Sequence, residues 1–550
     1  MQCDMTINEC PLCDNNPESS LTLEIDWIQC DICNQWYHTQ CLSLPKTQAN
    51  SIKNYHCEKC LRANPDIGPS ILKRRSGRQR HVVDYQALNE EGELRYIEEH
   101  MHIKRFTKYE CNNEGKVIVI NPSDHKSEYE VLDDALVKEL IKKTKLSVPI
   151  IMPSAVGKSM AHEKGYNLEL SFPGGMTVTE ITELLGEDHA VEVMDVLTQD
   201  NDRWTLGRWR DYYNLDASER GKIRNVLSLE VSDTGLGDIV RIPKFVQDID
   251  IVERVWREIV SSKLIDGDSP SWIERPKVTK YCLMSVKDAF TDFHLDFGGT
   301  SVYYTILKGQ KSFLMFPPTD DNLLAYQKWC LRSDQNETWF GDMIDTKSEQ
   351  NRGVKIDIFQ GDLLVLPSGW IHAVYTPVDS VVIGGNYLSS FSTETQLKVF
   401  EIEQATKVPE RFKFPNFNKI MWLIGFYSYK SSTDLSVEDV ESLERLLPFY
   451  ENQLELINSD ATTGRDSKKL KKHIKLSLPT KIIGKPQVFV DNYRAWIGAL
   501  RAADSEPSTS TIKLETDRKH DIESLSESPR RKKRSSLTAD ARGPAAKVKV

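Results

Sequence analysis

This chain has no apolar run long enough to cross a bilayer. Its longest, Ile420 to Tyr427, is far shorter than a membrane span and reads as a buried helix. No charged-then-apolar leader stands at its start, which argues against a secretory signal. It lacks a disulfide framework too: seven of eleven cysteines fall in the run from Cys10 to Cys60, and Cys3, Cys111, Cys282 and Cys330 are scattered, as in a reducing compartment. It lacks an overall positive charge. At a net charge of −10 there is no global attraction to nucleic acid phosphates, although an acidic body suits a basic partner. Internal repeats are missing as well. The 550 residues with a 39% apolar share are enough for several domains with real cores.

What is present begins with an ordered run of metal ligands, Cys10-x2-Cys13, Cys30-x2-Cys33, His38-x2-Cys41 and Cys57-x2-Cys60. Each x2 spacing lets two side chains of one tight turn reach the same tetrahedral ion, so eight ligands complete two structural Zn(II) sites with no open position. Sixty residues of this kind bury little apolar surface, so the metal supplies the folding free energy and the surface is left for recognition. The order of four Cys, one His and three Cys, with Trp36-Tyr37 before His38 and Tyr55 two places before Cys57, resembles a plant homeodomain (PHD) finger. A RING domain places its histidine elsewhere in the order.

The PHD resemblance implies that ligand pairs one and three share an ion (Cys10, Cys13, His38, Cys41) and that pairs two and four share the other (Cys30, Cys33, Cys57, Cys60). It also implies a reader of methylated lysine on the histone H3 tail. Such a reader needs ring faces for cation–π attraction to the quaternary ammonium. Trp36 matches the family's cage tryptophan, and Trp27 stands where relatives carry a cage wall.

Beyond the finger, a polar stretch from Asn64 to Ser70 leads into a basic run of Lys73, Arg74, Arg75, Arg78 and Arg80, the composition of a flexible linker. Helical periodicity follows in Tyr129 to Lys143 and Val178 to Val196. Between Val278 and Ser390 the chain turns to short β-rich runs, Ser301 to Leu307, Ser312 to Phe316, Asp362 to Pro367 and Ser380 to Gly384, suggesting a β-barrel or double-sheet sandwich. After Thr393 it is helical again, with a capping box at Ser436-x-x-Asp439 followed by Val437, Val440, Leu443 and Leu447 at helical spacing. From about Ala503 onward Ser, Pro, Glu and Lys predict a disordered tail. Arg530 to Arg534 there have the composition of a nuclear import signal, abutting a proline-directed phosphorylation pattern at Ser528.

In the β-rich region stands His294-Leu295-Asp296. On a strand, i and i+2 share a face, so both side chains reach one metal. One such pair is expected by chance among twelve histidines. The signal is raised by His372, delivered after the strand and turn of Gly361 to Ile371. Two His and one carboxylate form the facial triad of non-haem Fe(II) oxygenases. The run Phe290-Thr291-Asp292-Phe293-His294-Leu295-Asp296-Phe297-Gly298-Gly299-Thr300-Ser301-Val302 is similar to that of the Jumonji C (JmjC) lysine demethylases carrying an N-terminal PHD finger, with Phe290 in place of their tyrosine. Leu307 to Lys311, Gly369 to Val374, Gly384-Gly385-Asn386 and the upstream Trp204 to Asn214 match the same group.

The JmjC resemblance implies that His294, Asp296 and His372 hold Fe(II), with Asn386 beside them. Lys311 then pairs with the far carboxylate of 2-oxoglutarate, and Thr291 and Tyr304 hydrogen-bond that cosubstrate. O2 is the second cosubstrate. The expected organisation is a zinc-stabilised PHD finger at 5–62, a basic linker at 63–95, a helical part at 96–230, an α+β JmjC jelly-roll core (double-stranded β-helix) at 231–397, a C-terminal helical region at 398–502 and a tail at 503–550.

The implied activity is removal of methyl groups from mono- or dimethylated lysine 9 or 27 of H3, with the finger on trimethylated lysine 4. The implied setting is the nucleus, with the H3 tail in nucleosomes as partner, a non-specific DNA contact through the linker, and no membrane. Two alternatives are a silent chromatin reader and a JmjC protein hydroxylase. Lysine 4 and lysine 9 are at most about 18 Å apart on an extended tail, and lysine 4 and lysine 27 up to about 80 Å. A linker that keeps the modules apart therefore favours lysine 27 when lysine 4 is docked.

Overall fold

The computed structural model describes residues 11, 27–33, 35–39, 41–42, 44, 52–64, 71–72, 99–120, 132–156, 166–261, 274–431, 435–459 and 465–504. Cys10, Cys13, the side chain of Trp27, the basic run from Lys73 to Arg80, Ser528 and the tail run from Arg530 to Arg534 lie outside them. The chain divides into two compact units, residues 1–93 and 94–550.

In the first unit β1 (Trp27–Gln29) pairs antiparallel with β2 (Trp36–His38), and β3 (Ile52–Asn54) leads to a short helix, Glu58–Ala63, that starts beside Cys57. Within the span expected as linker, β4 (Ile71–Leu72) returns to pair with β3. Ile71 and Leu72 are an apolar pair between polar and basic stretches, which gives that return its reason. Among the described residues of this unit the apolar core is Cys30, Tyr37 and Cys57, ringed by Ile28, Leu42, Tyr55 and Cys60. So little apolar burial does not hold sixty residues folded without metal.

Among the described residues the second unit is built on an eleven-stranded sheet. Short strands β5 (Ile118–Val119) and β7 (Ile150–Met152) flank one end. β9 (Ala190–Asp195), β10 (Asn201–Thr205), β11 (Arg224–Glu230) and β12 (Tyr281–Ser285) extend the other. β6 (Leu132–Asp133) and β8 (Tyr166–Asn167) pair separately. At the centre run β14 (Ser301–Phe316) and β17 (Ile371–Tyr387), antiparallel along nearly their whole length. One half of β17 takes β12 on its outer edge and the other half takes β13 (Phe290–His294). β14 likewise takes β16 (Leu363–Leu366) and then β15 (Val354–Phe359). Two long strands that each change partners midway form a sheet folded on itself, the sandwich predicted from the short β-rich runs.

Three sequence expectations need correction. The runs Ser301 to Leu307 and Ser312 to Phe316 are one strand, bent where its register slips between Ile306 and Ser312. Gly309, with φ +86°, sits at that bend, and a Cβ there would lie 2.2 Å from the carbonyl oxygen of Asp379. The helix expected from Val178 to Val196 ends at Leu185, where Gly186 takes φ +96°. From Ala190 to Asp195 the chain is a strand, with Val191 and Val193 buried and Ala190 and Glu192 exposed, a period of two. In the helix Val437–Asn458 the buried stripe is Leu443, Leu446, Tyr450 and Leu454, whereas Val437 is 60% exposed in the first turn.

The capping box at Ser436 and Asp439 is formed. The helices Phe417–Lys430, Val437–Asn458 and Pro486–Asp504 share a core with Leu388 and Phe414. The apolar run Ile420 to Tyr427 is buried throughout, as expected. Among the described residues no helix is long and apolar enough to cross a membrane.

Candidate active site and zinc centre

The antiparallel register of β13 and β17 sets His294 directly opposite His372, with ring centroids 4.2 Å apart. Each ring is turned by its own strand: Nδ1 of His294 lies 2.9 Å from the carbonyl oxygen of Asp292, and Nδ1 of His372 lies 2.9 Å from that of Trp370. A carbonyl only accepts, so Nδ1 carries the hydrogen and Nε2 is left with its lone pair. Burial holds both imidazoles neutral, with pKa values pushed down to about 4, His294 further by His372 beside it. Neutral imidazoles presenting Nε2 are metal ligands in waiting.

Asp296 follows two residues after His294 in extended backbone, φ −63° and ψ 139°, on the same side as the histidine. Asn386 holds it: Nδ2 donates to Oδ1 of Asp296 at 3.3 Å and to Oγ1 of Thr300 at 2.8 Å. Burial pushes the carboxyl of Asp296 up, partly offset by His294 and Asn386. Asn386 itself is placed by a tight passage of β17. A Cβ on Gly385 would meet the carbonyl oxygen of Thr279 at 2.0 Å, and the amide of Asn386 donates to the carbonyl of Val278 at 2.7 Å.

His294, Asp296, His372, Asn386, Thr291 and Tyr304 all line one cavity of about 730 Å³. Its remaining wall is largely apolar, with Leu229, Val302, Phe313 and Leu366 among the lining residues.

Lys311 sits behind that wall rather than on it. It is 2% exposed, and its Nζ donates to Oγ of Ser285 at 2.5 Å and to Oγ1 of Thr376 at 2.8 Å. Ser285 donates to Oδ1 of Asn225 at 2.6 Å, and Nδ2 of Asn225 donates to Oγ1 of Thr291 at 3.3 Å, which joins the lysine to the cavity. No carboxylate among the described residues pairs with Lys311, and burial pushes its pKa down to about 7. A buried ammonium with only hydroxyl partners is short of one negative charge, the charge that a dicarboxylate brings.

Sequence reading missed Asn225, Ser285 and Thr376. Asn225 left a trace: it is a polar residue inside a strand, directly before the apolar pair Val226-Leu227, at a position where strands rarely carry asparagine.

In the first unit the Sγ atoms of Cys30, Cys33, Cys57 and Cys60 lie within 4.8 Å of one another, and none is in a disulfide. This is the pairing of the second and fourth ligand pairs. The amide of Cys57 donates to Sγ of Cys30 at 3.2 Å, and Asp31 accepts from the amide of Tyr55 at 2.7 Å, locking the two turns together. Of the other set, Nδ1 of His38 and Sγ of Cys41 are 3.7 Å apart. Among the described residues the four-cysteine set is the group whose donor atoms are all this close. The set of His294, Asp296 and His372 is more open, with Asp296 turned to Asn386. In the ribbon of β1 and β2, Trp27 pairs with His38 and Gln29 with Trp36, so the two tryptophans take diagonal positions in one pairing.

Family models match in three places: a PHD-finger over residues 10–60, a Cupin-like domain over 254–393 and a Jumonji helical domain over 391–478. A JmjC domain-containing histone demethylation protein 1 from Debaryomyces hansenii is 44% identical over 441 residues, spanning 78% of this chain and 80% of the relative. The protein of that name from Candida albicans is 41% identical over 519 residues, 90% of this chain and 98% of the relative. Histone lysine demethylase PHF8 from Danio rerio is 34% identical over 403 residues, 72% of this chain and 34% of the relative. With a finger, a cupin-like sandwich and a helical domain in that order, and relatives of that identity along most of its length, the chain belongs to the family of JmjC-domain histone demethylation proteins that carry a PHD finger.

Proposed function

We propose that the chain removes methyl groups from mono- and dimethylated lysine on the histone H3 tail, with its finger docked on trimethylated lysine 4. The carrying observation is the opposed pair His294 and His372, both with Nε2 presented, and Asp296 in the same cavity. These three would hold Fe(II), and a facial set leaves positions for cosubstrates. When bound, iron with O2 and 2-oxoglutarate supplies hydroxylation of a lysine N-methyl group, and the product breaks down to formaldehyde and a lysine with one methyl fewer.

The chain's own residues position and desolvate. Lys311 counters the far carboxylate of 2-oxoglutarate, with Thr291, Tyr304 and Asn225 as hydrogen-bonding neighbours at the wall. Asn386 restrains the Asp296 carboxylate so that it does not swing away from the histidines. The apolar wall excludes water around the reacting carbon. Four thiolates of Cys30, Cys33, Cys57 and Cys60 would hold one structural Zn(II), and His38 and Cys41 with Cys10 and Cys13 the other. Trp36 and Trp27 would form the cage. Nuclear import through Arg530 to Arg534 fits a chromatin substrate.

The choice of lysine 9 or 27 rests on the resemblance to the finger-bearing demethylases. The Debaryomyces and Candida relatives are more similar to this chain than the Danio protein, and their names give no lysine. The test is therefore mass spectrometry on H3 peptides methylated singly at each lysine of the tail, with iron, ascorbate and 2-oxoglutarate. Loss of methyl groups with formaldehyde and succinate is expected. Activity confined to a lysine other than 9 or 27 overturns the lysine choice alone. A stable hydroxylated product would mean a hydroxylase, and no succinate a silent reader.

A further inference from the structure

Between Ser467 and Val490 the chain carries seven lysines, one histidine and no carboxylate, in a protein whose net charge is −10. Much of this stretch is the helix Arg465–Ser477. Lys468, Lys472 and Lys475 stand at i, i+4 and i+7, so they share one helical face, and all three are exposed. Lys481 and Lys485 continue the exposed positive charge beyond the helix, whereas Lys471 is half-buried and bonded to the carbonyl of Ser459.

Several cations elsewhere in the helical region are neutralised. Arg494 pairs with Glu451 and Asp491 at 2.9 and 3.0 Å, Arg501 with Glu444 at 2.5 Å, and Arg254 with Asp439 at 2.9 Å. Among the described residues no carboxylate lies within ion-pair distance of Lys468, Lys472, Lys475, Lys481 or Lys485. Five like charges left together and unpaired are a cost in self-repulsion that an anionic partner removes.

We propose that this lysine face is a docking surface for the phosphate backbone of duplex DNA. Over the roughly 10 Å from Lys468 to Lys475 a duplex presents one charge per about 1.7 Å of its axis, so three ammonium groups meet several phosphates. A membrane fits less well. The helix turns Ile474 into its own domain, Leu478 just past its end is buried too, and the exposed Leu470 and Leu476 are six residues apart, on different faces. The surface is independent of the demethylase reading, since DNA binding is measured without turnover.

The experiment uses the full chain and a short duplex of random sequence, with the dissociation constant followed across salt concentration. The variant Lys468→Gln, Lys472→Gln and Lys475→Gln is compared with wild type and with a charge-matched control of exposed lysines elsewhere, Lys328→Gln, Lys347→Gln and Lys407→Gln. The variant should bind about tenfold more weakly or worse, and its salt slope should fall by about 2 to 3, near 0.9 per lost phosphate contact. Any contribution of the other basic runs is common to all three proteins and cancels. Turnover on a free H3 peptide should not change, which shows that the variant is folded. An unchanged slope, an equal fall in the control, or a loss seen with polyglutamate or phosphatidylserine vesicles and not with DNA would overturn the proposal.

Discussion

His294 and His372 are poised by bonds to the backbone of their own strands, so removing one member of the proposed facial set should not disturb the sandwich but should empty the proposed metal site. His294→Ala or Asp296→Ala is expected to abolish formaldehyde release while peptide binding by the finger, followed by fluorescence anisotropy, persists. If Lys311 counters the far carboxylate of 2-oxoglutarate as proposed, Lys311→Ala should raise the 2-oxoglutarate requirement by about 2 kcal/mol or more, roughly thirtyfold. The same lysine makes cosubstrate binding depend on pH. Without an anion its pKa is about 7, far below that of a free lysine. The dianion binds the ammonium form, so below that value the lysine is already protonated, and above it binding must take up a proton. Affinity for 2-oxoglutarate should therefore fall by up to about tenfold per pH unit above neutrality in wild type. Lys311→Arg, charged throughout, should lose most of that dependence. Calorimetric titrations of both proteins on either side of neutrality decide it.

At the scale of elements, local signals were legible and long-range ones were not. The capping box of Ser436 and Asp439 is a four-residue matter, and it is present; Ser436→Ala should cost about 1 kcal/mol, read as a lower melting temperature. The strand Ala190–Asp195 was misread as helix because its apolar residues suit both periods, and pairing with β10 and β11 decides between them. β14 was read as two strands because its middle, Lys308-Gly309-Gln310, is turn-like in composition. What keeps it continuous is β17 running beside it. The bend makes a sharp prediction. Gly309→Ala meets both a positive φ and a backbone oxygen, so it should destabilise the sandwich by at least about 2 kcal/mol, seen as a lower melting temperature.

At the scale of the whole molecule, two compact units carry two chemistries. Among the described residues the finger's apolar core is Tyr37 packed on two members of the four-cysteine cluster, so Cys57→Ser should unfold it and abolish the proposed binding to trimethylated lysine 4 peptides. Turnover on peptides without that mark should continue. If the finger raises the effective concentration of the tail at the active site, trimethylated lysine 4 on the same peptide increases the rate, and Trp36→Ala erases the increase. Comparing doubly and singly modified peptides measures this. A larger gain at lysine 27 than at lysine 9 is expected from the composition of the linker, and the opposite order would show the modules held close.

By itself the sequence determined the ligand spacings of the finger, the triad and the order of the segments, because x2 turns, the two-residue strand period and capping act over a few residues. Tertiary structure alone decided that His294 stands opposite His372 in register and that Lys311 lies behind the cavity wall on Ser285 and Thr376, and it brought together in space Cys30, Cys33, Cys57 and Cys60, whose pairing the sequence offered only through a resemblance. Those are register and burial. They join residues that lie from two dozen to nearly eighty positions apart, and each depends on which strands pair rather than on any local preference. Asn225 shows the boundary: its polarity inside a strand was readable, but its bonds to Ser285 and Thr291 exist only once β11 lies beside β12.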